Sequence, residues 1–344
     1  MKYLASLVLV LPLSACDQKP PPGARTQNTA ATVTAAASID PPSPSASASS
    51  APPVVASAPI ADPHDVPKGD GKYHELTWRF EDTKVGDMSV VVVVPENADD
   101  AHKLPVVIAM HGQGEALKGP KKGARGWVDD YWLPKALRRL HAPPLNDRDF
   151  RGRADEGRLA KLNERLATEP YHGVIVVCPY TPYRILKGER AFTDANLLAD
   201  FLVDELIPKI YAETPAIGTP ATTGVDGVSL GGRASVLVGL ARPEAFGALG
   251  ALQPAFDVQD AERLAKRAKA AREKNPKLTI RLLTSDGDYY LDSTKAISKA
   301  MAEVGVDNTL DVVPGDHSYD FNRGPGVYEL LFFHDRALRR EPVL

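Results

Sequence analysis

A serine between two glycines marks the part of this 344-residue chain that could carry out covalent chemistry. The run 225–232 reads VDGVSLGG, with Gly227 two residues before Ser229 and Gly231 two residues after it. A serine at the tip of a sharp turn between a strand and a helix needs very small residues at those two places, because the chain reverses there. The pattern predicts a nucleophile at Ser229, with the N–H of Leu230 facing the negative charge that develops during attack.

A second glycine-containing turn comes earlier in the chain. The strand-like run 105–110 is followed by HGQG at 111–114. A flexible loop at this point can direct a backbone N–H toward the serine, and an oxyanion is stabilised by such preorganised donors. We expect the N–H of Gln113 to act beside that of Leu230, with Gly114 as the alternative. A simple turn at the end of a strand is the competing interpretation.

A serine nucleophile also needs a base, and the base needs an acid that orients it. His317 follows the last strand-like run and is the histidine best placed to reach the serine, so we expect it to be the base. The run 278–284 opens into Ser-Asp-Gly-Asp, which offers Asp286 and Asp288. We favour Asp288, because the fourth loop position lets its side chain fold back toward the histidine. Asp286 remains the alternative acid.

Strand-like runs alternate with helical patterns from residue 72 to the end of the chain. The first two runs predict an antiparallel pair, and the whole set is 74–80, 87–94, 105–110, 173–177, 221–225, 246–252, 278–284 and 308–313. The clearest helical patterns are 195–211, 233–240, 258–274, 293–304 and 327–340. This alternation predicts an α/β fold with a mostly parallel central sheet, helices on both faces and a single domain over 72–344.

At these residues the chain resembles α/β-hydrolases of the esterase D and enterochelin-esterase type. Three stretches carry the resemblance, which covers roughly residues 90–320: FLVDELIPKI at 201–210, GVSLGGRASVLVGLARPEAFGALGAL at 227–252, and 284–318 with its Asp and His loops. It implies the α/β-hydrolase fold, a triad of Ser229, Asp288 and His317, and an esterase or related acyl hydrolase. The order nucleophile, acid, base agrees with that fold.

The connection 115–172 matches no pattern of that family. It is polar and arginine-rich, with Trp127, Tyr131 and Trp132 near its start. A cap that shapes the substrate pocket and a solvated surface insertion are equally compatible with it. We expect Trp127 to line the pocket, together with Gln253 and Phe256 after the strand-like run 246–252.

The N-terminus predicts export and anchoring. Residues 1–15 combine a basic start, a short apolar core and a small-residue cleavage site before Cys16, which resembles a bacterial lipoprotein signal. An ordinary secretory signal is the alternative. Residues 16–71 would then be a lipidated cysteine and a disordered tether rich in Pro, Ala and Ser, because such a composition cannot bury enough apolar surface to fold.

The composition of the chain limits the classes of molecule that we expect it to bind. The formal net charge is −3 and no basic stripe occurs, which argues against nucleic acid. The expected triad requires no metal or cofactor. We expect a serine hydrolase of small-molecule or glycan-linked carboxylic esters, which works through an acyl-enzyme and is tethered to a membrane of the cell envelope. A serine peptidase and a non-catalytic envelope binding protein are the alternatives, and the oligomeric state stays open.

Overall fold

Eight strands form one sheet in the computed structural model, which describes residues 66–344. Their spatial order is β1-β2-β4-β3-β5-β6-β7-β8. The strands are β1 (Tyr73–Phe80), β2 (Met88–Pro95), β3 (Val106–Met110), β4 (Ile175–Pro179), β5 (Thr223–Gly227), β6 (Ala248–Leu252), β7 (Thr279–Gly287) and β8 (Thr309–Asp316). β2 is antiparallel to both β1 and β4, and the pairs from β4 to β8 are parallel. The predicted α/β fold with an opening antiparallel pair is confirmed.

Helices connect the strands on both faces of the sheet. They are α1 (Gln113–Ala116), α2 (Pro120–Gly123), α3 (Leu133–Leu140), α4 (Glu156–Thr168), α5 (Ala191–Asp200), α6 (Ile207–Glu213), α7 (Leu230–Ala241), α8 (Ala261–Lys274), α9 (Leu291–Glu303), α10 (Tyr319–Phe321) and α11 (Val327–Ala337). π-Helical turns occupy Gly126–Asp130, Phe201–Leu206 and Asn322–Gly326. The helix predicted at 195–211 is therefore α5 and α6 joined by a π-helical turn.

The alternating side chains of β2 show that the sheet is covered on both faces. Val90, Val92 and Val94 belong to one apolar core, which also contains the buried residues of α5 to α9. Val91 and Val93 belong to a second core, which contains those of α3, α4 and α11. Because every residue of β2 is buried, the strand is a continuous apolar run rather than an alternating one.

The connection 115–172 forms much of this second face, so neither alternative given for it holds in full. Trp127 and Tyr131 are buried in the second core, as are apolar residues of α3 and α4. A solvated insertion would not be packed in this way. Only its beginning reaches the cleft beside Ser229, which Glu115, Leu117 and Tyr131 help to line.

The folded domain begins earlier than the expected boundary at residue 72. Val66 is buried, and the Pro67 carbonyl accepts a hydrogen bond of 2.8 Å from Asn97 Nδ2. These contacts attach residues 66–71 to the domain, so they are not part of a free tether. The expected signal peptide, Cys16 and the tether up to residue 65 lie outside the described residues. Within residues 66–344, no helix is long and apolar enough to cross a membrane.

A buried cluster of charges ties the second face to the sheet. Glu329 of α11 accepts hydrogen bonds from Arg158 of α4 at 2.5 and 2.9 Å and from Arg281 of β7 at 3.2 Å. Burial would raise the pKa of the Glu329 carboxyl, but the hydrogen bonds and charges of the two arginines hold it below its usual value. Glu329 therefore contributes stability that is present above the ordinary glutamate pKa and is lost as the pH falls through the lowered one.

The substitution Glu329→Gln should lower the free energy of unfolding by about 3 kcal/mol at neutral pH, because it removes the buried carboxylate that Arg158 and Arg281 share. Arg158 then keeps only the carboxylate of Asp311, at 3.0 Å. Arg281 keeps only that of Asp226, which is more distant at 4.0 Å. Urea unfolding followed by circular dichroism measures the free energy.

Glu303→Gln is the control, since Glu303 forms an exposed pair with Lys299. It should change the free energy by less than about 0.5 kcal/mol. An equal loss of unfolding free energy in the two variants would contradict the stabilising role assigned to Glu329.

Candidate active site

Ser229 lies at a sharp reversal between β5 and α7. Its backbone has φ of 59° and ψ of −116°, a conformation that non-glycine residues rarely adopt. Backbone hydrogen bonds to the neighbouring strands hold it: Ser229 N donates to Leu252 O of β6 at 2.9 Å, and Val228 N donates to Met110 O of β3 at 3.2 Å. The strained serine is thus held between two parallel strands.

Two glycines allow this reversal, as the spacing of the motif predicts. A Cβ at Gly227 would lie 2.5 Å from the backbone of Gly231, and a Cβ at Gly231 would overlap the carbonyl of Met110. A larger residue at either place would therefore push β3 or the start of α7 away from the turn.

A continuous line of hydrogen bonds joins the serine, the histidine and an aspartate. His317 Nε2 lies 2.9 Å from Ser229 Oγ, and His317 Nδ1 lies 2.9 Å from Asp288 Oδ1. His317 follows β8 and Asp288 follows β7, and these two strands are parallel neighbours. The sheet therefore brings the two loops to the same edge as the serine.

The Asp288 carboxylate is buried and fully engaged. Its Oδ2 accepts a hydrogen bond from Thr284 Oγ1 at 2.7 Å, and its Oδ1 accepts one from Tyr290 N at 3.0 Å. Asp286 is exposed, and its Oδ1 accepts a hydrogen bond from Gly315 N at 3.0 Å. Of the two aspartates that the sequence offers, the structure brings Asp288 to the histidine. It places Asp286 on the outer side of the loop that carries His317.

Two helices begin at the cleft beside Ser229. Leu230 is the first residue of α7 and Gln113 the first of α1, and both line the cleft with Ser229. The first N–H groups of a helix have no partner within it. The N–H of Gly112 is already used, because it donates to the Tyr131 hydroxyl at 3.1 Å. The N–H groups of Leu230 and Gln113 therefore remain as candidate donors to an oxyanion, and Gly114, which also lines the cleft, stays the alternative to Gln113.

His111 anchors this loop as a neutral side chain. It is fully buried, and burial lowers its pKa to about 4. Its Nε2 accepts a hydrogen bond from Thr181 N at 2.9 Å, so its Nδ1 carries the proton and donates to Gly112 O at 2.9 Å. The turn 111–114 is thus fixed from β4 as well as from β3.

The three residues expected to line the pocket do not reach it. Trp127, Gln253 and Phe256 are at most 1% exposed, and none of them lines the cleft. The Phe256 ring lies under the Arg233 guanidinium at 4.9 Å, so it packs inward. In the stretch after β6, the residue that does line the cleft is Ala255. For Gln253 and Phe256 the expectation was wrong because the backbone after β6 packs against the start of α7. Ala255 N donates to Ser229 O at 3.1 Å and Arg233 Nη1 donates to Ala255 O at 3.0 Å, so the neighbouring side chains point inward.

Gln253 instead contacts the loop that carries His317, which we call the base loop. Its Nε2 donates to Ser285 Oγ at 2.6 Å and to Asp316 O at 3.1 Å, next to the histidine. On the outer side of the same loop, Arg153 Nη2 lies 3.0 Å from Asp316 Oδ1. The arginine comes from the connection before β4, so this segment also contacts the loop that carries His317.

Four tyrosines contribute to the cleft walls, and no local sequence pattern predicts this position for them. The cleft measures about 320 Å³, and Tyr289, Tyr290 and Tyr319 line it. The ring of Tyr289 lies 4.3 Å from the His317 imidazole, centroid to centroid, and is 70% exposed. Tyr319 donates its hydroxyl to Glu115 Oε1 at 2.6 Å, and Tyr131 donates to the other oxygen of this carboxylate.

A larger cavity of about 550 Å³ lies away from this chemistry. Its lining includes Ala221, Gly247 and Thr279, which lie at the amino ends of β5, β6 and β7. In parallel sheets of this kind ligands bind at the carboxyl ends of the strands, so we assign the site to the smaller cleft. No cluster of His, Cys, Asp or Glu within 66–344 is suited to hold a metal ion.

Comparisons with known proteins agree with this geometry. Among solved structures, a ferulic acid esterase is 16% identical with a TM-score of 0.56, and the alignment covers 77% of this chain and 99% of that one. An S-formylglutathione hydrolase from Staphylococcus aureus is 13% identical with a TM-score of 0.53, covering 78% and 99%. A fluorophosphonate-binding serine hydrolase from the same organism is 12% identical with a TM-score of 0.53, covering 76% and 98%. At these identities the likeness shows the fold.

A comparison with curated proteins found no match. The sequence pattern of the family described as "Putative esterase" matches residues 83–320, which is more than half of the chain. The match contains the turn at Ser229 and the two loops that carry Asp288 and His317. The chain therefore belongs to the "Putative esterase" family and is a carboxylic-ester hydrolase with the α/β-hydrolase fold.

Proposed function

We propose that the protein cleaves carboxylic esters through an acyl-enzyme on Ser229, with His317 as base and Asp288 as the acid that orients it. The observation that carries this proposal is the unbroken line of hydrogen bonds from Ser229 Oγ through the imidazole to the buried Asp288. A histidine oriented by a buried carboxylate can take the serine proton, and this activates the hydroxyl as a nucleophile.

The reaction proceeds in two halves. His317 Nε2 accepts the proton of Ser229 Oγ while the oxygen attacks the ester carbonyl, and the histidine returns the proton to the departing alcohol. Water then loses a proton to His317 and attacks the acyl-enzyme carbonyl. His317 gives this proton to Ser229 Oγ as the acid leaves, which restores the serine and the neutral histidine. In both halves the N–H groups of Leu230 and Gln113 stabilise the oxyanion, and one such donor is typically worth about 100- to 1000-fold in rate.

Asp288→Asn should lower kcat by about 1,000- to 10,000-fold, because an amide at this position favours the wrong tautomer of the histidine. Asp286→Asn is the matched control and should change kcat by less than about threefold, since its carboxylate contacts only Gly315 N across the loop. Steady-state hydrolysis of p-nitrophenyl butyrate measures both. A large loss in Asp286→Asn with little loss in Asp288→Asn would move the orienting role to Asp286.

The full-length protein should hydrolyse p-nitrophenyl butyrate and be labelled at Ser229 by a fluorophosphonate, and Ser229→Ala should abolish both. Ser298→Ala is a suitable control, because Ser298 lies in α9, is not among the residues that line the cleft, and donates its hydroxyl to Asn308 Oδ1 at 2.7 Å. A matched anilide should react far more slowly than the ester. A preference for the anilide would favour the peptidase alternative, and an active Ser229→Ala variant would remove the proposed nucleophile.

The substrate we propose is a small-molecule or glycan-linked ester. The cleft is open and contains no lysine or arginine among its lining residues. Two of the similar structures are described as a ferulic acid esterase and an S-formylglutathione hydrolase, and S-formylglutathione is a thioester. These descriptions support an ester or thioester of a small acid without selecting one.

We also propose that the enzyme is a lipoprotein of the cell envelope, attached to a bacterial membrane through lipidated Cys16. The support is the sequence of residues 1–16 alone. In a bacterial host, the wild-type chain should fractionate with membranes, whereas Cys16→Ser should appear in the soluble envelope fraction with unchanged ester hydrolysis. Recovery of both proteins in the same soluble fraction would contradict the anchor.

A further inference from the structure

Glu115 is a buried carboxylate in the wall of the cleft that the proposed mechanism does not use. It is 1% exposed, and each of its oxygens accepts a tyrosine hydroxyl. Tyr131 reaches one oxygen from the connection before β4, and Tyr319 reaches the other from the helix that follows the base loop. The hydrogen bond between Glu115 and Tyr319 therefore joins residues that are 204 positions apart in the chain.

The two tyrosines lie beside different parts of the proposed catalytic site, the turn 111–114 and the loop that carries His317. The Tyr131 hydroxyl also accepts the N–H of Gly112, the residue before the expected oxyanion donor Gln113. Tyr319 follows His317 by two residues. Burial and the neighbouring Glu115 raise the pKa of Tyr131 well above its usual value, and burial with the hydrogen bond to Glu115 raises that of Tyr319. Both hydroxyls therefore keep their protons and donate to the carboxylate.

The surrounding backbone leaves space for this arrangement. A Cβ at Gly126 would lie 2.6 Å from Glu115 Cγ, and a Cβ at Gly114 would lie 2.8 Å from the Tyr319 hydroxyl. Outside the cluster, Lys118 Nζ lies 3.5 Å from Glu115 Oε1 and 2.7 Å from Asp130 Oδ2. The lysine offsets part of the buried charge and leaves both tyrosine contacts in place.

We propose that Glu115 is a positioning residue that acts through Tyr131 and Tyr319. It holds the turn 111–114, which we call the oxyanion loop, in a fixed position relative to the base loop that carries His317. The inference rests on the proposed function, since it assigns a role toward the same reaction. The hydroxyl of Tyr131 occupies the Gly112 N–H, so the next N–H along the chain, that of Gln113, is left for the substrate oxygen. Without the carboxylate, neither tyrosine is fixed, and small misplacements of catalytic groups are costly.

Glu115→Gln tests this directly, because the amide keeps the shape but can accept only one of the two hydroxyls through its oxygen. We expect kcat per active site to fall by about 10- to 100-fold with KM within about threefold, as for a misplacement of the catalytic groups. Titration with a fluorophosphonate counts the active sites, so a misfolded fraction does not enter the rate. If this variant fails to fold, Tyr131→Phe and Tyr319→Phe each remove a single hydroxyl and report the same loss.

A trifluoromethyl ketone separates positioning from mere stability. Ser229 Oγ adds to its carbonyl carbon, the serine proton passes to His317, and the carbonyl electron pair becomes an oxyanion in the site of the transition-state oxygen. The Ki for the ketone should rise by the same factor by which kcat/KM falls in Glu115→Gln and Tyr131→Phe. The double variant should lose no more than the worse single variant, because both cut the same link.

Tyr211→Phe is the matched control, since it removes another partly buried hydroxyl, which bonds Thr223 Oγ1 at 2.6 Å on a different part of the sheet. It should keep kcat per titrated site. A kcat per titrated site in Glu115→Gln and Tyr131→Phe equal to that of the wild type would overturn the proposal, as would independent, multiplying losses in the double variant. A wild-type protein that neither hydrolyses esters nor reacts with the fluorophosphonate would instead overturn the proposed function.

Discussion

The structure depends on the backbone reversal at Ser229. A residue with φ of 59° costs on the order of 1 to 3 kcal/mol and persists only where its surroundings determine it fully. Here β3 and β6 supply the carbonyls that hold the turn, which places the serine strand β5 between them in the sheet. The same arrangement sets the positions of the other groups to which we assign catalytic roles, since the turn 111–114 follows β3, and the loops that carry Asp288 and His317 follow β7 and β8 on the far side of β6.

The connection 115–172, which precedes β4, supplies side chains that contact the loops around Ser229. It covers one face of the sheet, and it also sends Tyr131 to the oxyanion loop and Arg153 to the base loop. Burying that face and shaping the cleft are therefore coupled, because the same chain segment does both. A change deep in its packing would reach the site through Tyr131, whose ring packs edge-to-face against Trp127 at 5.0 Å.

The sequence predicts the parts of the site that follow from local spacing and sheet topology. The elbow at Ser229 needs its two glycines, and a histidine after the last strand has to lie at the same sheet edge, so both could be placed from the chain alone. The choice of Asp288 over Asp286 rested on loop reach, and the structure puts that carboxylate beside the histidine. No comparable rule gives the direction of a side chain after a strand, so the inward orientation of Gln253 and Phe256 could not be predicted from the sequence.

The burial of Glu115 could not be predicted, because its tyrosine partners lie in other parts of the chain, 16 and 204 residues away. The openness of the cleft adds to its importance. Leu117 and Tyr289 are 68% and 70% exposed at the rim, so residues 66–344 leave the outer part of the cleft open. Rate and selectivity then depend on the few groups held close to the reacting carbon, and the placement of those groups depends on the tyrosine contacts of Glu115.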